Sequence, residues 1–124
     1  MVPKKVLLID DEAAFTQLVK LNLEKTGKYE VRVENQGAMG LSSAIQFKPD
    51  MILLDIVMPD TDGSDVAMQL SENSMTRDIP IVFLTAIVEK EEVDDNNNVI
   101  GGRKFLAKPV NLAELMRCID SSVK

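Results

Sequence analysis

Three stretches of the chain are apolar at every position: Val6-Leu7-Leu8-Ile9, Met51-Ile52-Leu53-Leu54 and Ile81-Val82-Phe83-Leu84. Side chains on a strand alternate between two faces, so such a run makes a stable strand only where both faces are covered. That is the situation of strands in a parallel sheet with helices on either side. Two more mixed runs, Tyr29 to Val33 and Lys104 to Ala107, complete the set. The intervening segments carry helical spacing. After Asp11 come Ala14, Phe15, Leu18, Val19 and Leu21; after Gly37 come Ala38, Leu41, Ala44 and Ile45; after Asn111 come Leu112, Leu115, Met116, Ile119 and Val123. Asn111 with Glu114 three residues later has the form of a helix N-terminal cap.

The breaks between segments agree with this alternation. Gly27 closes the first helix, Lys48-Pro49-Asp50 precedes the third strand, and Ile79-Pro80 precedes the fourth. The fourth helix, Glu89 to roughly Asn98, is the weakest, because Asp94-Asp95-Asn96-Asn97-Asn98 has poor helix propensity. The pattern predicts five βα units in one domain over residues 1–124, folded by right-handed crossovers into a three-layer α/β/α sandwich.

Composition narrows the chemistry. The chain has no histidine and one cysteine, Cys118. Imidazole and multi-thiolate zinc sites are excluded, as are an internal disulfide and Ser-His-Asp or Cys-His catalysis. Any metal must be held by oxygen, which points to Mg²⁺ or Mn²⁺. A net charge of −6 argues against direct nucleic-acid binding. No apolar run approaches bilayer length, and the four aliphatic residues after Lys5 are too few for a signal-peptide core, so the expected location is the cytoplasm.

Open α/β sheets bind ligands beyond the carboxyl ends of their strands. There the sequence places Asp10-Asp11, Asp55, Thr85-Ala86 and Lys108-Pro109. Carboxylates about 4 Å apart repel by roughly 4 kcal/mol per pair at an effective dielectric of 20. A divalent cation offsets that repulsion, and Lys108 offsets part of it. Such a cluster suits Mg²⁺ that shares its shell with phosphate oxygens.

These residues fall in five motifs: Ile9-Asp10-Asp11-Glu12, Leu54-Asp55-Ile56-Val57-Met58-Pro59, Asp62-Gly63, Leu84-Thr85-Ala86 and Phe105-Leu106-Ala107-Lys108-Pro109. In order and spacing they resemble the response-regulator receiver domains of two-component signalling, of the chemotaxis-Y type, over essentially the whole chain. The resemblance implies a flavodoxin-like (βα)5 fold with strand order 2-1-3-4-5. It implies that Asp55 accepts a phosphoryl group from a histidine kinase, a histidine phosphotransfer protein or a small donor such as acetyl phosphate. Asp11 would ligate Mg²⁺ directly, Asp10 through a metal-bound water, and Val57 through its backbone carbonyl. Lys108 and Thr85 would bind phosphoryl oxygens, with a cis Lys108–Pro109 bond aiming the lysine. Thr85 and Phe105 would form the switch that remodels the face made by the fourth helix, fifth strand and fifth helix, the face through which such domains also dimerise. The chain would be no enzyme in the ordinary sense: it modifies itself, with autophosphatase activity alone. Its kinase and its target or output domain are not legible, and the chain is either free-standing or part of a longer regulator.

Two positions flanking the phosphoryl site, Val57 and Ile87, are branched aliphatics where polar residues can position attacking water. They predict a long-lived phosphoaspartate. The segment Asn97 to Arg103, with its Gly101-Gly102 pair, departs from the family's usual turn. Blander readings stand beside these. Asp10-Asp11 alone would be a helix cap, and Asp11 can share that role. Phe105, as a lone aromatic on an edge strand, can be plain packing. Met39, Met68 and Met116 fall on apolar helix stripes and read as core, Met58 as partly exposed, and Cys118 as an inert buried thiol. Three other functions compete. A haloacid-dehalogenase-like phosphatase needs an acid two residues past its nucleophile, where Val57 stands. A flavodoxin-like electron carrier would present Asp10-Asp11-Glu12 to the FMN phosphate and repel it. A degenerate receiver scaffold has no need of the complete acidic set.

Overall fold

A computed structural model describes residues 2–85, 99–100, 103–108 and 110–123. The strands are β1 (Lys4–Ile9), β2 (Tyr29–Glu34), β3 (Met51–Asp55), β4 (Ile81–Thr85), β5 (Val99–Ile100) and β6 (Arg103–Ala107). The helices are α1 (Ala13–Lys25), α2 (Gly40–Phe47), α3 (Gly63–Glu72) and α4 (Leu112–Ser122), with a 3₁₀ turn at Gly37–Met39. One sheet runs in the order β2-β1-β3-β4-β6-β5. The five expected strands are all parallel and in the expected order, β6 being the fifth of them. Beyond these five, the sheet carries a further, two-residue strand. β5 pairs antiparallel with β6 through Val99↔Lys104 and Ile100↔Arg103, so β6 is not an edge strand. Its residues, Val99 and Ile100, are β-branched, a type favoured in strands. The expected fourth helix, Ala86, Ile87, Pro109 and the Lys108–Pro109 bond lie outside the described residues.

The continuous apolar runs work as anticipated, each strand serving two cores. Val6, Leu8, Leu53 and Leu84 pack against Val19 and Leu23 of α1 and Leu115 and Ile119 of α4. Leu7, Ile9, Leu54 and Phe83 pack against Ala44 of α2 and Val66, Ala67 and Leu70 of α3. Burial of each large aliphatic contributes about 1.5–3 kcal/mol.

The helices follow the pattern less closely. On α1 the inward residues are Thr16, Val19 and Leu23, whereas Leu18 and Leu21 are 57% and 62% exposed. A helix on a flat sheet buries one narrow stripe, and Leu18 instead borders a groove shared with Leu112. Met39 and Met68 are likewise exposed rather than core, while Met58 is buried against the α2–α3 cluster. Met116 is partly buried and Cys118 buried, as read from the sequence. Burial pushes the Cys118 thiol pKa up, which keeps it inert. Asn111 caps α4 by accepting the Glu114 N–H at 2.7 Å.

Candidate active site at the strand ends

Each strand delivers its last residue to one rim because parallel strands end on the same side. Asp10 follows β1, Asp55 ends β3, Thr85 ends β4 and Lys108 follows β6. The registers Asp55↔Leu84 and Thr85↔Ala107 hold three of these strand ends level. Asp10 is wholly buried, and its Oδ1 accepts the Glu12 N–H at 2.9 Å. That bond starts α1. The helix N-cap is Glu12, without a side-chain cap bond, so Asp11 does not share the capping role. Oxygens of Asp10, Asp11 and Asp55 lie within 4.8 Å of one another.

Lys108 reaches across this cluster. Its Nζ lies 2.7 Å from Asp10 Oδ2, 2.9 Å from Glu12 Oε1 and 3.7 Å from Asp55 Oδ2, and 4.7 Å from the centre of the Phe15 ring. Burial disfavours its charge, but the contacts with Asp10 and Glu12 and the charges of Asp10 and Asp55 outweigh burial and raise its pKa. Burial also disfavours the charge of Asp55, and nearby Asp10 adds to the effect. Lys108 and the Val57 N–H pull the other way, and the Asp55 pKa stands at about 6 against an ordinary 3.8. The site therefore has more negative charge than its own cation neutralises.

The loop after β3 is shaped by α3. A Cβ on Gly63 would lie 2.3 Å from the Asp55 carbonyl oxygen, and the Gly63 N–H donates to the Ile56 carbonyl at 2.7 Å. Only glycine lets α3 begin this close to the aspartate. Val57 donates its N–H to Asp55 Oδ1 at 3.3 Å, and its residue is 54% exposed at the mouth of the site. Asp60 accepts N–H bonds from Gly37 at 3.3 Å and Ala38 at 3.0 Å, which ties the loop to the 3₁₀ turn. The Ala38 bond leads the effects that lower the Asp60 pKa.

The donor set fits Mg²⁺: hard carboxylate oxygens converge at one point of the rim, where buried Asp10 Oδ2 has the Lys108 ammonium as its ion-pair partner. Asp10, Asp11 and Asp55 are the groups that would hold the ion. Thr85 is buried at the same rim. Phe105 is half-buried and stacks on Phe83, with ring centroids 5.3 Å apart. It is thus neither lone nor on an edge strand. Alternation along β4 places Thr85 on the face of Phe83, and so of Phe105.

The model of the response regulator receiver domain matches residues 6–120. The chain belongs to this family. PilH of Pseudomonas aeruginosa is 35% identical to this receiver over 121 residues, covering 94% of the chain and 95% of PilH. The transcriptional regulator RpaA of Synechocystis is 35% identical over 112 residues, 90% of this chain and 46% of that protein. The receiver spans about half the length of the transcriptional regulators it matches. Among solved structures, the chemotaxis protein CheY4 of Vibrio cholerae superimposes with a TM-score of 0.82 at 28% identity, covering 98% of this chain and all of that one. The receiver domain of a sensor histidine kinase from Pseudomonas aeruginosa, which has a magnesium ion coordinated in its active-site cleft, gives 0.80 at 25% identity and 98% coverage of both chains. The receiver is therefore a module of two-component signalling, a family phosphorylated by histidine kinases. No helix among the described residues is long and apolar enough to cross a membrane.

Four residues that shape the site had no assigned role in the sequence. Glu12 and Phe15 flank the Lys108 ammonium, Asp60 anchors the loop, and the Asn35 side chain donates to the Asp10 carbonyl. Glu12 stood inside a motif. Asn35 was signalled only by following a strand on the same rim.

Proposed function

We propose that residues 1–124 act as one receiver in which Asp55 is the phosphoacceptor, and that the Asp55 carboxylate oxygen attacks phosphorus in line with the bond to the departing donor. The observation that supports this is the convergence of Asp10, Asp11 and Asp55 oxygens within 4.8 Å, with the Lys108 ammonium 3.7 Å from Asp55. Phosphoryl transfer is mainly positioning plus neutralisation of oxygen charge. A bound Mg²⁺, or Mn²⁺, supplies the greater part of that neutralisation. Asp10 and Asp11 keep their oxygens directed at it, Val57 adds its carbonyl, and Lys108 turns from its carboxylate partners to a phosphoryl oxygen. Thr85 donates its hydroxyl to another oxygen once Asp55 is modified. That movement opens space on its face of the sheet for Phe105, and the changed outer surface reports the state of the site to a target or output domain.

The aspartyl phosphate is released to water without a separate enzyme. Val57, with Ile87 by analogy of position, screens the acyl phosphate from water and lengthens its life. The domain works in the cytoplasm with a histidine kinase or phosphotransfer protein as donor. Acetyl phosphate with Mg²⁺ should add one phosphoryl group by mass, no addition should occur in EDTA, and Asp55→Asn should remain unmodified. Modification of Asp55→Asn to the same extent would refute the assignment. Phosphate release should be faster in Ile87→Glu; equal lifetimes would remove the proposed screening role.

A further inference from the structure

We propose that Asn35 is a positioning residue for the cation site, holding the Asp10-Asp11 turn from the neighbouring strand; this rests on Asp10 and Asp11 being the metal-binding carboxylates. The β1–β2 register ends at Ile9↔Glu34, and its continuation would set Asp10 opposite Asn35. The first bond of that next pair is present, from the Asp10 N–H to the Glu34 carbonyl at 3.0 Å. In a parallel ladder its companion would come to the Asp10 carbonyl from the backbone N–H of Gln36. At that point the chain leaves the sheet for the 3₁₀ turn at Gly37–Met39. The Asn35 side chain takes over: its Nδ2 donates to the Asp10 carbonyl at 2.8 Å.

The same nitrogen lies 3.1 Å from Thr16 Oγ1. Thr16 is wholly buried in α1, and its hydroxyl donates in turn to the Ala13 carbonyl at 3.0 Å. One carboxamide thus ties the end of β1 to the first turns of α1, across the turn that carries Asp10 and Asp11. The residue type follows from the geometry. A carboxamide has two N–H donors in one plane, whereas aspartate has none and serine has one. Aspartate would also add a carboxylate beside three others.

The consequence for the metal site is directional. Asp10 is held at its side chain by the Glu12 N–H and at its carbonyl by Asn35. Among the described residues no side chain holds the Asp11 carboxylate, so its direction is inherited from the peptide that Asn35 anchors. Groups that orient metal ligands in this way change metal affinity by about 10–100-fold when removed.

Mg²⁺ titration calorimetry on the full chain, with urea unfolding of each variant, separates positioning from stability. Asn35→Ala should weaken Mg²⁺ binding about tenfold. Thr16→Val, which frees the far side of the amide, should weaken it by a smaller factor. Val31→Ala, an equally structural change on β2 away from the rim, should lower the urea midpoint and leave Mg²⁺ affinity unchanged. Unaltered affinity in Asn35→Ala, with binding abolished in Asp11→Asn, would overturn the role of Asn35 alone. Unaltered affinity in Asp11→Asn would overturn the site assignment and the proposal with it. If Asn35→Ala does not fold, Thr16→Val decides, and an unchanged affinity there counts against the proposal.

Discussion

Asp55 should make the metal-free domain less stable as pH rises, and replacing it with asparagine should abolish that dependence. In the fold its pKa is about 6 against 3.8 for an ordinary aspartate, because of burial and then Asp10. A group whose folded-state pKa is raised holds its proton better in the native state. Its stabilisation is fully present below about pH 4 and is lost as pH climbs through about 6. At 1.36 kcal/mol per pH unit, the whole effect is about 3 kcal/mol, of which about 1.4 falls between pH 5 and pH 7.5. The site opens to solvent at its rim, so screening reduces the second figure to about 1 kcal/mol. Urea unfolding followed by circular dichroism, in EDTA at both pH values, measures it. The stability of Asp55→Asn relative to the wild type should be greater at pH 7.5 than at pH 5 by about 1 kcal/mol. Saturating Mg²⁺, at about 100 times its Kd, should return about 2.7 kcal/mol to the wild type. A wild-type-minus-variant difference that stays constant with pH would refute the idea that Asp55 is ionised against its surroundings.

Three other perturbations test separate parts of the structure. Lys108→Met removes the cation between Asp10 and Asp55 and should lower metal-free stability by about 2 kcal/mol, while Mg²⁺ binds more tightly in calorimetry. Gly63→Ala drives a Cβ into the Asp55 carbonyl and should cost about 1–3 kcal/mol in urea unfolding, with slower phosphorylation by acetyl phosphate. On the outer edge of β2, Glu24 accepts the Val31 N–H at 3.0 Å and Lys20 donates to the Val31 carbonyl at 2.7 Å, so this ion pair covers an open strand edge. The double variant Lys20→Ala, Glu24→Ala should self-associate at concentrations where the wild type sediments as a monomer.

Much of this molecule was legible before folding, and the reason is periodicity. Val6 to Ile9 and Met51 to Leu54 read as short strands covered on both faces, and both are strands buried throughout. Helix faces were harder to read. Leu18 and Leu21 of α1 and Met68 of α3 fit an apolar stripe, yet all are exposed, because the width of the buried stripe depends on how each helix lies on the sheet. β5 escaped notice because two residues are too few to show a period. Phe105 read as a lone edge aromatic because neither β5 nor its stacking on Phe83 can be seen in a linear string.

The acidic residues, the lysine and the hydroxyl could be assigned to one rim from sequence, since parallel strands all end at the same level. Chemistry by elimination came from sequence as well: without histidine, and with a single thiol, only oxygen remains to hold a metal. Tertiary structure alone decided how the charges are shared. It set Lys108 nearer to Asp10 and Glu12 than to Asp55 and enclosed Asp10 completely. It also brought the Asn35 amide onto the Asp10 carbonyl. Spacing along a chain specifies which side chains reach a rim, but their mutual distances and desolvation depend on segments that meet only when the sheet is assembled.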